Sequence, residues 1–492
     1  MKFLFQNLWE RKKAVAIVIV LLIAQALCEL SLPNYTADIV DVGIQQNGVD
    51  SVAVEEMRQE THNWLLAFMD DDEISYLNAC YEKQGETYVL KDEVSEDKDK
   101  KTALEQVLQE PMVLTYFMEY GAQASGDSEY ASMMGDAAKM QEQLKQLAQA
   151  GALTPSSLYD MRAAVTEKFG DLGDTMIDQM SIAMAQQEYE ALGYDMHQMQ
   201  MDYLLRTGGV MILMTLGMLL AAVLLGYVSS RTAADIGRSL RKKVYTSVIS
   251  FSGKEIDQFS TASLITRCTN DIQQVQMVEV MLLRMVLYAP VLAIGGIIMV
   301  TRTDASMSWI IVVAVAVIIS VVMVLMKFSM PKFKMMQKLV DRMNLVSREI
   351  LTGIPVIRAF SREEHEKERF KDANTELMET QLYTSRMMAW MMPIMMLIMN
   401  CITVAIVWFG AKGISAGHMQ VGDMMAFITY AMVIVMSFLL LTMMSIMLPR
   451  AGVAAERIQE VIGTRSSITD AEQLADDEMG DIRGKLAFHN VS

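Results

Sequence analysis

The sequence predicts an all-α membrane protein: six long transmembrane helices that extend into the cytosol, plus a mainly helical extracytoplasmic domain between helices 1 and 2. Three observations predict it. With 492 residues, 52% of them hydrophobic, 21% charged and a mean hydropathy of +0.24, the chain is too apolar for a soluble globule and too charged to lie wholly in lipid. Six apolar runs, at residues 14–32, 209–228, 281–300, 309–326, 391–409 and 424–447, match the ~20 residues needed to cross ~30 Å of hydrocarbon. Between the first and second runs lies an acidic stretch, residues 45–205, holding 31 of the 59 acidic residues but only 10 of the 42 basic ones.

The elements follow in order. Residues 1–13, FLFQNLWERKK at their heart, are apolar on one side and charged on the other, as an elbow helix lying along the inner membrane surface would be. Residues 14–44 form the first span. No small-residue cleavage site follows its apolar run, and the helical pattern continues into Pro33, so it is no cleaved signal peptide. Pro33 is placed to kink this helix. In residues 45–205, TALEQVLQE, AAKMQEQLKQLAQA and SSLYDMRAAVTEKF space apolar residues three and four apart, the helical period. Thr154-Pro155 reads as a helix start, and DKDKK (97–101) and SGDSE (125–129) read as solvent-facing turns.

Residues 206–463 carry spans two to six. Here the helical pattern outruns the membrane: from Thr261 to Val300 it lasts about 40 residues, or ~60 Å, twice the hydrocarbon thickness. The helices around Gly353-Ile354-Pro355 behave likewise. Lys and Arg set orientation. Lys2, Arg11, Lys12 and Lys13 at the start, Arg231 to Lys254 after the second span, and Lys327 to Arg358 after the fourth all belong in the cytosol. Both termini are then cytosolic, and residues 45–205 lie outside. The net charge of −17 comes from that outer segment, and no basic footprint for nucleic acid exists. Cys28 and Cys401 fall in spans, Cys268 in a loop and Cys80 outside, without disulfide or metal spacing.

Two loops carry dense specific patterns. FSTASLITRCTNDIQQVQ resembles the first intracellular loop of exporter-type ABC transporters, and EILTGIPVIRAFSREEHE resembles their second. MMAFITYAMVIVMSFL followed by RAGVAAERIQEVI is similar to their sixth span and its exit. LPNYTADIVDVGI and WFGAKGISAGHMQVGDMMAF resemble the bacterial heterodimeric multidrug branch. Residues 464–492, ending in RGKLAFHNVS, resemble a linker and the first strand of a nucleotide-binding domain truncated at that point. The sequence contains no GxxxxGK[ST] phosphate loop. The resemblance implies ATP and Mg held by a nucleotide-binding domain outside this chain and none by the chain itself. It also implies a second half-transporter subunit, related but different, as partner.

The resemblance further implies that the loop tips are coupling helices seated on nucleotide-binding domains. The first, about 253–259, offers Gly253, Lys254, Glu255, Asp257 and Phe259; the second, about 352–360, offers Gly353, Ile354, Val356, Ile357, Arg358 and Phe360. The first would meet the chain's own motor and the second the partner's. Arg267, Asn270 and Asp271 lie within about one helical turn, suiting an intracellular ion-pair network, although Asp271 reads equally as a solvated charge.

Polar residues inside spans are candidate substrate contacts. Gln25, Glu29, Tyr288, Asn400 and Tyr430 are placed to line a cavity for amphipathic cations, a carboxylate for charge and aromatic rings for flat ligands. Each also has a plainer reading: Glu29 as an interfacial carboxylate, Asn400 as a bridge between helices. Arg284 reads as a snorkelling cation. Among 46 methionines, the run MMAWMMPIMMLIM (387–399) suits either a surface that repacks or a lipid-facing helix. Asn34-Tyr35-Thr36 matches a glycosylation sequon by chance.

The expected function is that of the transmembrane subunit of an ATP-driven exporter in a bacterial inner (plasma) membrane. It would move hydrophobic or amphipathic small molecules outward by alternating access. A membrane sensor or regulatory subunit with a ligand-binding extracytoplasmic domain and no motor is the alternative. Four further spans with long cytosolic hairpins weigh against it.

Overall fold

The computed structural model describes residues 2–120, 174–303 and 305–468. Six of its helical segments are long and apolar enough to cross a membrane: Lys12–Gln45, Met196–Ser250, Thr261–Thr303, Ser308–Ala359, Glu363–Ser415 and Val421–Thr442. The chain divides into two compact units. One comprises residues 1–22, 222–288 and 440–492, the other residues 23–221 and 289–439.

Helix α1 (Lys2–Trp9) leads into α2 (Lys12–Asp38), which stays helical through Pro33 and widens into a π-helical segment, Ile39–Gln45. After the acidic insertion, α8 (Met196–Ser250) runs for 55 residues, about 80 Å. Asp195 starts it, its Oδ1 accepting from the backbone N–H groups of His197 (3.0 Å) and Gln198 (3.2 Å). With no proline inside, nothing in its sequence ends it before Ser250. A short helix, α9 (Gly253–Gln258), precedes α10 (Thr261–Thr266), α11 (Ile272–Met281) and α12 (Tyr288–Thr303). Then α13 (Ser308–Ala359), α14 (Glu363–Ser415) and α15 (Val421–Gly463) complete the order.

The third span stays helical from Thr261 to Thr303, as its pattern predicts, but not as one regular α-helix. Two π-helical turns, Arg267–Asp271 and Leu282–Val286, separate α10, α11 and α12. Proline explains the second. Pro290 has no N–H to give the carbonyl four residues back, and Val286, where the π turn ends, holds that position.

The insertion contributes β1 (Glu56–Arg58), α3 (Gln59–Phe68), α4 (Asp71–Cys80), β2 (Tyr81–Gln84), β3 (Thr87–Leu90), α5 (Asp92–Ser95), α6 (Lys98–Tyr120) and α7 (Asp174–Ala191). Its described residues are mainly helical, as expected, but also build an antiparallel sheet of order β1-β3-β2. The hairpin pairs Gln84 with Thr87 across a two-residue turn, with Gly85 at φ +70° where a side chain would be strained. DKDKK proves to be a helix start rather than a turn. Asp97 stands before α6 and its carboxylate accepts from the N–H of Asp99 at 3.1 Å. The helices read at 137–150 and 156–169, the Thr154-Pro155 start, SGDSE and the strand at 483–492 lie outside the described residues.

The insertion has its own core, in which Val54, Met57, Leu65, Leu77, Leu104 and Met184 are buried. Glu188 on α7 is fully buried yet accepts from the Arg58 N–H (2.5 Å), the Arg58 guanidinium (2.8 Å) and the Thr61 hydroxyl (2.5 Å). That donor set makes a buried carboxylate tolerable and ties α7 to β1. His62 stacks on Tyr88 at 3.7 Å, and its burial pushes its pKa down.

Candidate coupling site

The first loop tip is built by a local sequence device. Ser252 and Glu255 have capping-box spacing, and the Glu255 carboxylate accepts from the Ser252 N–H (3.0 Å) and hydroxyl (2.5 Å). This starts α9 two residues after α8 ends and turns the chain sharply. Phe251 and Phe259 flank the short helix, both buried, with rings stacked at 5.9 Å and 13°. Gly253, Lys254 and Asp257 remain exposed.

A second set of contacts binds this tip to the end of α15. The Arg267 guanidinium lies 5.0 Å from the Phe259 ring centre, donates to the Arg457 carbonyl (2.8 Å) and pairs with Glu460 (2.8 Å). Ser467, just beyond α15, gives its N–H to Glu255 (3.3 Å), and its hydroxyl lies 3.0 Å from that of Ser252. These hydrogen bonds, the Ser252 hydroxyl first, hold the Glu255 carboxyl down to about 2.

Of the predicted network, Arg267 alone is seen in this linkage. Asn270 is exposed, and Asp271 is buried with Oδ2 lacking a hydrogen-bond partner among the described residues. The parting coincides with the π turn Arg267–Asp271.

The second tip differs in form. Residues 352–359 make no separate crosspiece: α13 continues through Pro355 to Ala359. The turn to α14 is tight, with Arg362 N–H bonded to the Ile357 carbonyl (2.9 Å) and Ser361 at φ +53°. Arg369–Glu349 (2.5 Å) and Arg342–Glu376 (2.6 Å) clamp α13 to α14. Leu351, Ile354, Ile357 and Phe370 line a cavity of about 560 Å³ between the two helix ends. Gly353 and Ile357 are half-buried, whereas Ile354, Val356, Arg358 and Phe360 are exposed, Phe360 at 75%.

The candidate cavity residues scatter. Tyr430 is fully buried, its hydroxyl 2.6 Å from Asn34 Oδ1 and 2.9 Å from the Leu30 carbonyl, so it ties α15 to α2. Asn34 of the sequon thus has an intramolecular role. Gln25 and Glu29 are half-buried on α2, Tyr288 is half-buried at the start of α12, and Asn400 is exposed on α14. Sequence reasoning missed two carboxylates. Asp41, in the π-helical segment, is buried and accepts from the Gly422 N–H at 2.8 Å; a side chain at Gly422 would collide with it. Glu279 on α11 is fully buried with neither oxygen hydrogen-bonded among the described residues, Arg11 being its opposing charge. A glutamate at a core position of an apolar helix face is the signal that could have found it.

Six helices are long and apolar enough to cross a membrane, and three of them, α8, α13 and α14, run for 55, 52 and 53 residues, far more than the ~20 that span hydrocarbon. The chain belongs to the ABC transporter transmembrane region family, which residues 169–438 match. It is similar to an uncharacterized ABC transporter ATP-binding protein of Mycobacterium bovis, 38% identical over 265 residues, covering 54% of this chain and 46% of that protein. A Bacillus subtilis protein of the same description is 31% identical over 285 residues, covering 58% and 49%. A Rickettsia conorii protein named as an export ATP-binding/permease protein is 24% identical over 217 residues, covering 44% and 37%. The chain thus spans about half the length of the curated relatives it matches.

Proposed function

We propose that this chain is the transmembrane part of an ATP-driven exporter subunit that carries hydrophobic or amphipathic small molecules out of the cytosol by alternating access. The observation that carries the reading is the pair of loop tips on long helices, one fastened to the chain's own α15 and the other presenting bare apolar side chains. Stiff levers with shaped ends transmit motion, and the family match makes nucleotide-binding domains what they transmit it from. Motors closing on ATP would draw the tips together and switch the membrane helices between two packings. The sequence carries no GxxxxGK[ST] loop, and ATP and Mg would be held by the nucleotide-binding domain.

In this reading the subunit pairs with a related, different half-transporter in the cell membrane, with termini cytosolic and residues 45–205 outside. The Lys and Arg distribution and the likeness of its first and fifth spans to the heterodimeric branch support that arrangement. The test is a spin-label distance between Lys254→Cys and Arg358→Cys in the whole protein, with its native cysteines replaced. The expected result is a shifted distribution with ATP and vanadate. An unchanged distribution under conditions where ATP is demonstrably bound would overturn the coupling reading, whatever the cargo.

A further inference from the structure

Helices α2 and α8 border a cleft of about 720 Å³ at the level where both change from apolar to charged. On α8 the apolar run ends at Val228, and Tyr227, Arg231, Asp235 and Arg238 share one face at helical spacing. On the other side, Arg11, Lys12 and Lys13 give way to the apolar run beginning at Ala14. A cleft at both transitions sits at the depth of lipid headgroups, whichever way the chain is oriented.

Its charge is unbalanced. Among the lining residues the acidic side chain is Asp235, taken up by Arg11 (2.8 Å) and Arg238 (3.0 Å). Arg231 donates only to the Tyr227 hydroxyl (2.9 Å) and makes no ion pair among the described residues. Among the lining residues three guanidinium groups face one carboxylate; Glu279 on α11 also opposes Arg11, so the excess positive charge rests on Arg231 and Arg238. Arg238 is 84% exposed and free to offer its remaining N–H groups. Toward the membrane, exposed Val223 and Leu224 on α8 and Ile17 and Val20 on α2 carry on from the charged end as apolar walls.

We propose that this cleft binds an anionic phospholipid. Phosphodiester oxygens accept charge-assisted hydrogen bonds from Arg231 and Arg238, for which planar guanidinium groups are suited. Tyr227 lies at the glycerol level and the acyl chains rest on the apolar walls. A net-neutral choline headgroup leaves the excess positive charge uncompensated, so the site discriminates by charge. The inference is independent of what the protein transports.

The test is native mass spectrometry of the whole protein released from nanodiscs of mixed phosphatidylglycerol and phosphatidylcholine. The wild type is expected to retain phosphatidylglycerol preferentially, and the double variant Arg231→Ala/Arg238→Ala to bind it about tenfold more weakly. Arg362→Gln/Lys371→Gln, which removes two positive charges elsewhere, should keep the preference. If the double variant does not fold, Arg231→Gln alone gives the same reading with a smaller loss. No preference in the wild type, or an equal one in the cleft variants, overturns the proposal. So does displacement of the lipid by inorganic phosphate alone, which would make the cleft a simple anion site.

Discussion

Each loop tip presents a phenylalanine, and the two are treated oppositely. Phe259 is 5% exposed, stacked on Phe251 and covered by Arg267, and its neighbourhood is bonded to α15. Phe360 is 75% exposed at the end of a helical hairpin whose ion pairs tie α13 to α14. The first tip has found its apolar and ionic partners within the chain. The second keeps large apolar side chains in water, a cost that makes sense where another surface covers them. So the first tip is fastened within its own chain, and the second leaves its apolar side chains exposed, as the proposed seat on a nucleotide-binding domain requires.

The sharpest way to break this contrast is to truncate both rings. Phe259→Ala removes a buried aromatic and is expected to cost about 3–5 kcal/mol in detergent-solubilised unfolding. Phe360→Ala removes an exposed one and should stay within about 0.5 kcal/mol of the wild type, while weakening attachment to its covering surface. Equal destabilisation by the two would show that the second tip is packed after all. Next in size is the arginine pair. Arg267→Ala loses the cation–π contact and a hydrogen bond to a carbonyl, together about 1–3 kcal/mol; its ion pair adds little, because Glu460 is half exposed. Arg358→Ala on the second tip should be near neutral, and hydrogen exchange in residues 253–259 should rise in the first variant alone.

Much of this contrast was hidden in the sequence, for identifiable reasons. The six spans were legible because transmembrane helices need long apolar runs, and no tertiary contact rewrites that requirement. Helix α9 was legible in outline, since Ser252 and Glu255 carry their own start signal three residues apart. The partner of Arg267 was not, for it lies 190 residues away and local periodicity says nothing about such pairs. Phe259 and Phe360 look alike in sequence because burial is decided by what packs over a ring. The sheet of the insertion was missed because its strands span three or four residues, too short for alternation to emerge against helical neighbours. The π turns escaped for a different reason: each is a one-residue displacement that leaves the overall apolar pattern of the third span nearly unchanged.

The smallest effect sharpens the contrast from the side of charge. Glu255 is held down to about 2, against about 4.5 when unperturbed, because it accepts from Ser252 and Ser467 while ionised. A depressed carboxyl stabilises the fold fully above its unfolded value. As the pH falls from about 4.5 toward about 2, the unfolded chain takes up a proton that the folded tip still refuses, and the contribution drains away. Wild type and Glu255→Gln should therefore differ most in thermal stability near neutral pH. The gap should narrow steadily below about pH 4.5, and melting curves across that range read it directly. A gap that stays constant with pH would mean that the hydrogen bonds from Ser252 and Ser467 to Glu255 do not form in solution. The two tips would then differ in their aromatic packing and in the contacts of Arg267.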